Sequence, residues 1–110
     1  MDIHITTRKF TIHPSVKEHA MQEIKKLNKY FDGILRCNIT LSYEKAVDSS
    51  KIADISLHMY KHEIVATHKS DDFYKSIDQA ILKLEKQMAK YKSKVREKNK
   101  ITVRKIKEKV

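Results

Sequence analysis

Six histidines, a single cysteine and a run of lysines are the side chains of this 110-residue chain with chemistry to offer. Each class suggests a different kind of site. His58, His62 and His68 lie around one predicted hairpin, which could bring imidazoles together on a metal. Strand geometry argues against it, because only residues two apart share a face: His58 and His62 could do so, whereas His68 belongs to the opposite strand and no carboxylate is placed to orient the rings. Cys37 has no partner for an internal disulfide and sits among alternating apolar residues, the setting of a small core side chain. No cation or helix start beside it would favour a thiolate nucleophile. The one glycine excludes a phosphate-cradling loop, which needs several at close spacing. Asp72 and Asp78 flank the start of a helix and are read as capping and solvent-exposed acids rather than an acid–base pair; Tyr74 and Tyr91 are read as packing groups, with an edge of Tyr74 open to an interface. No catalytic residue, metal, cofactor or small-molecule substrate is expected from this set, and the chain reads as non-enzymatic.

The lysines point elsewhere. Residues 83–110 hold 12 Lys and Arg against 3 Asp and Glu, whereas residues 1–82 hold 12 against 11, so nearly all of the net charge of +10 belongs to the end of the chain. Lys83, Lys86, Lys90 and Lys94 recur at helical spacing, with few acids to pair them. A cationic ridge on a folded helix is the footprint of a polyanionic partner, and it outweighs the alternative of a solubilising face.

The helix that must carry this ridge covers residues 71–98. Phe73, Ile77, Ile81, Leu84, Met88, Tyr91 and Val95 succeed one another at spacings of three and four, which draws one apolar stripe along it. The stripe faces a core and the ridge is expected to point away from it. Asp71 and Asp72 suit the helix start, and the lysines suit its far end.

Upstream, Met1, Ile3 and Ile5 alternate with polar residues as a first strand ending near Arg8. Pro14 opens a first helix, in which Val16, Ala20, Ile24, Leu27 and Phe31 form the stripe and Gly33 supplies the stop. Cys37, Ile39, Leu41 and Tyr43 mark a second strand; Ala53, Ile55, Leu57 and Met59 a third; Ile64, Ala66 and His68 a fourth. Residues 46–50 form a polar connection, and the last hairpin turns near Lys61 and His62 without Gly or Asn. The order is β-α-β-β-β-α. A crossover through a helix makes the first two strands parallel, and short links make the others antiparallel. The fold class is therefore α+β: a four-stranded mixed sheet with two helices packed on its one apolar face. Residues 1–98 make one domain, and 99–110 a basic, mobile tail.

The stretch from 63 to 94, EIVATHKSDDFYKSIDQAILKLEKQMAKYKSK, resembles the signature region of the bacterial ribosome hibernation-promoting factors, which include the ribosome-associated inhibitor A proteins. Asp72, Tyr74, Ile77 and Asp78 match that family's Asp-x-Tyr-x-x-Ile-Asp start, and Lys83, Leu84, Gln87, Lys90, Lys92 and Lys94 match its helix. Lys86 stands where the family often has Arg, and Met88 where it has Leu. The resemblance implies a fold similar to double-stranded RNA-binding domains, and binding to the small ribosomal subunit and its ribosomal RNA in the channel between head and body, over the tRNA and mRNA sites. It implies ribosome hibernation, a translational stress response in the cytoplasm. A short chain without the family's C-terminal dimerisation domain is expected to be a monomer when free. Together with the ridge, it nominates Lys75, Lys83, Lys86, Lys90, Lys92 and Lys94 as RNA-binding residues.

No apolar run reaches the ~20 residues of a membrane helix, and no membrane association is expected. Two other readings stay open on the residues alone. A general structured-RNA-binding module would carry the same ridge, and a small metal-dependent RNA enzyme would require the histidines to converge.

Overall fold

A computed structural model describes residues 2–8, 10–31, 33–44 and 50–108, with side chains through Lys92 except that of Tyr30. Six elements follow in the expected order: β1 (Asp2–Thr7), α1 (Pro14–Tyr30), β2 (Ile34–Glu44), β3 (Ser50–Met59), β4 (His62–Ser70) and α2 (Phe73–Glu108). The strands lie in the sheet in chain order, β1 parallel to β2 and the other neighbours antiparallel. Met1 and the connection at 46–49 lie outside the described residues.

The register explains the core. Ile5 stands beside Ile39, Ile39 opposite Ile55, and Ile55 opposite Ala66, so one apolar row crosses all four strands on a single face. Cys37, Leu41, Ala53, Leu57 and Ile64 extend that face, and against it pack Ala20, Ile24 and Leu27 of α1 and Ile77, Ala80, Leu84 and Met88 of α2. Both helices therefore cover the same side of the sheet. The opposite side carries Asn38, Thr40, Asp54, Ser56 and Thr67, side chains that water satisfies at no cost.

Three local features differ from the sequence expectation. Gly33 is not the left-handed stop of α1: no glycine has positive φ, and the helix closes at Phe31, whose extended backbone donates its N–H to the Leu27 carbonyl at 3.0 Å. The glycine answers a packing need, since a Cβ there would come within 2.8 Å of the Phe31 ring. The β3–β4 hairpin turns on Tyr60 and Lys61, and Lys61 takes φ 58°, a conformation that costs a residue with a Cβ about 1–2 kcal/mol. Finally, α2 continues through Lys98 to Glu108 as one helix. The side chain of Val95, the last residue expected in the stripe, lies outside the described ones.

Candidate nucleic-acid interface

The cationic helix is fixed at its start by a set of short polar contacts. Asp72 caps α2, its Oδ1 accepting the Tyr74 N–H at 3.0 Å. Ser76, fully buried, donates its hydroxyl to the Lys51 carbonyl at 2.6 Å and meets the Ser70 hydroxyl at 2.7 Å, which pins the first turn to β3 and β4. On the other flank Tyr74 and Ser15 share a hydrogen bond of 2.6 Å between hydroxyls, and His19 Nε2 meets Asp78 Oδ1 at 2.7 Å. Asp78 thus ties α2 to α1 instead of standing free in solvent.

These contacts decide where the lysines point. Lys75, Lys83, Lys86 and Lys90 are exposed and fall within an arc of about 80° on α2 by the helical pitch. The flank is not directed wholly away from the sheet, as the sequence suggested. Lys83 Nζ donates to the Thr67 carbonyl at 2.8 Å and Gln87 Nε2 to the Val65 carbonyl at 2.9 Å, both acceptors lying on the free edge of β4. The ridge accordingly runs along the edge of the sheet, and two of its side chains satisfy edge carbonyls that would otherwise invite another strand. Lys75 is 3.5 Å from Asp71 across one turn, a weak exposed pair. Lys86 and Lys90 have no hydrogen-bond or ion-pair partner among the described residues.

Lys92 does not join this flank. It is half-buried on the opposite side of α2, its Nζ 5.6 Å from the centre of the Phe31 ring. The side chain of Lys94 lies outside the described residues. Four of the six nominated residues are therefore gathered on one surface. Lys25 and Lys29 of α1 were not nominated, yet both are exposed on the side of α1 away from its apolar stripe.

The histidines do not gather. His58 lies on the open face, 3.7 Å from Glu63, and His62 pairs with Met59 on the helix-facing side, so the two cannot share a site as strand spacing alone allowed. The two-residue turn sets this parity: Met59 and His62 are partners, which leaves His58 on the other face. Cys37 is fully buried, and that burial pushes its thiol up to about 12, far from any nucleophilic range.

A ribosome hibernation promoting factor of Klebsiella oxytoca is 34% identical over 97 residues, covering 88% of this chain and 99% of that protein. The ribosome hibernation promotion factor of Bacillus subtilis is 28% identical over 98 residues, which span 52% of its length. Among solved structures, a ribosomal subunit interface protein from Coxiella burnetii superposes with a TM-score of 0.77 at 30% identity, covering 84% of this chain and 99% of that one. The N-terminal domain of Thermus thermophilus Protein Y shares the fold, with a TM-score of 0.72 at 23% identity over 83% of this chain and 99% of that one. Residues 3–96 match the family described as Sigma 54 modulation protein / S30EA ribosomal protein, and the chain belongs to that family, the one that holds the ribosome hibernation promoting factors.

Proposed function

We propose that this protein silences idle ribosomes by occupancy. It seats in the channel between the head and body of the small subunit, sets the exposed flank of α2 against ribosomal RNA, and fills space that tRNA and mRNA need. It works in the cytoplasm and without chemical turnover. Residues 1–98 supply the ribosome-binding domain, and 99–110 a basic appendage to it.

The observation that carries this reading is the placement of Lys75, Lys83, Lys86 and Lys90 on one flank of a helix whose start is pinned to both α1 and the sheet. From the first to the last of them is about 22 Å at 1.5 Å per residue, more than twice the screening length at physiological salt. Such a row meets several phosphates at once while its own charges stay partly insulated from one another. A rigid row also spends less side-chain and backbone entropy on binding than the same charges on a loose tail.

Co-sedimentation with purified small subunits tests it. The unaltered protein should pellet with the subunit at one per particle, and a variant with Lys75, Lys86 and Lys90 all changed to Glu should remain in the supernatant while melting normally. Normal binding by that folded variant would reduce the flank to a solubilising surface.

A further inference from the structure

At the end of the sheet, beyond the lysine flank, the half-buried rings of Phe31 and Tyr91 pack against the core and the rings of the β3–β4 hairpin stand outside it. Tyr60, at the tip of the β3–β4 hairpin, is 75% exposed, and the Lys61 ammonium stands 5.4 Å from its ring centre. His62, also exposed, stacks on Tyr91 of α2 with ring centres 4.7 Å apart and planes 11° from parallel. Tyr91 in turn meets the edge of Phe31 at 5.6 Å and 90°, and Lys92 lies over Phe31. The stack is held from below by half-buried rings, and its solvent side belongs to the hairpin.

We infer that this hairpin end is a stacking platform for an unpaired nucleobase of RNA, with Tyr60 and His62 as the ring faces and Lys61 beside them for the phosphate. Every base offers a π-face, so an exposed ring flanked by ammonium groups takes a single-stranded nucleotide whatever its sequence. The charge beside the platform fits the same occupant, because Lys61 stands by Tyr60 and Lys90 and Lys92 are the chain neighbours of Tyr91 on α2. The backbone agrees. Lys61 holds a left-handed conformation at the turn next to the exposed Tyr60, although a non-glycine residue is disfavoured there. The inference rests on RNA being the partner proposed above and adds to it a second mode of contact, with bases as well as phosphates.

The test compares a 12-nucleotide oligoadenylate RNA with an abasic ribose-phosphate oligomer of equal length, both titrated against the full chain. The chain has five tyrosines and no tryptophan, so tyrosine emission reports the binding directly. The oligoadenylate should bind about 5- to 100-fold more tightly than the abasic oligomer. Tyr60→Ala should reduce that excess, Tyr60→Phe should keep it, and neither should alter the salt dependence, since neither changes a phosphate contact. Equal affinity for the two oligomers, or an excess indifferent to Tyr60→Ala, would overturn the platform. So would a Tyr60→Ala variant that binds small subunits more weakly but oligoadenylate normally, because its partner would then be a ribosomal protein. Failure of the unaltered chain to sediment with small subunits would instead sink the proposed function, and the oligomer comparison would still decide the platform.

Discussion

Cys37 and Lys86 mark the two extremes of what a single side chain does here. The thiol is fully buried in β2 and its pKa is raised from 9.0 to about 12 by loss of solvent. A raised pKa means that the unfolded chain gives up this proton first, so the stabilising contribution is complete below pH 9 and drains away as pH climbs toward 12. Over that window the slope of stability against pH should be steeper than in Cys37→Ala by about 1.4 kcal/mol per unit, measured by urea unfolding. Equal slopes would mean that the thiol titrates freely. Lys86, in contrast, is exposed and has no partner among the described residues, so its loss should cost binding and not stability. Lys86→Gln and Lys90→Gln should each leave the melting temperature unchanged and each reduce the slope of log affinity against log salt by roughly 0.7–0.9, the value for one phosphate contact. An unchanged slope would place that side chain off the RNA.

At the scale of elements, α2 is both a wall of the core and the carrier of the exposed lysine flank, and the two features separate by substitution. Leu84 is fully buried against the sheet, so Leu84→Ala should cost about 2–5 kcal/mol in chemical denaturation, and a cost near zero would mean that the site collapses without loss. The hairpin next to it holds its own test. With φ 58° at Lys61, Lys61→Gly should be more stable than Lys61→Ala by about 1 kcal/mol, because only glycine occupies that region without a Cβ clash. Equal stability of the two variants would show that the turn relaxes. Neither the left-handed lysine nor the bulge that leaves Leu35 61% exposed could be read from the sequence. Alternation reports which face a residue occupies, and it is silent on turns made without Gly or Asn. The same limit left a common face for His58 and His62 open, because the parity of two strands depends on the length of their turn.

For the whole molecule, element order, sheet topology and the single covered face were legible because each strand alternates and each helix has one stripe, and no segment carries competing periods. Of the candidate surface, the charge gradient and the common exposed flank of Lys75, Lys83, Lys86 and Lys90 were legible. What the sequence hid was long-range: that Lys83 and Gln87 close the edge of β4, that Asp78 reaches His19 on α1, and that Lys92 turns toward Phe31. Those partners lie many residues apart and are set by how α2 crosses the sheet, which periodicity does not encode. The plug proposed above is open to titration in a translation extract. Titrated against a known ribosome concentration, the protein should suppress initiation with an end point near one per ribosome and leave ribosomal RNA intact. Excess initiator tRNA with mRNA and initiation factors should restore activity, because ligands for overlapping sites oppose each other by mass action. Inhibition far below one protein per ribosome, with new RNA ends and no rescue by those competitors, would contradict occupancy and point to a catalytic mechanism.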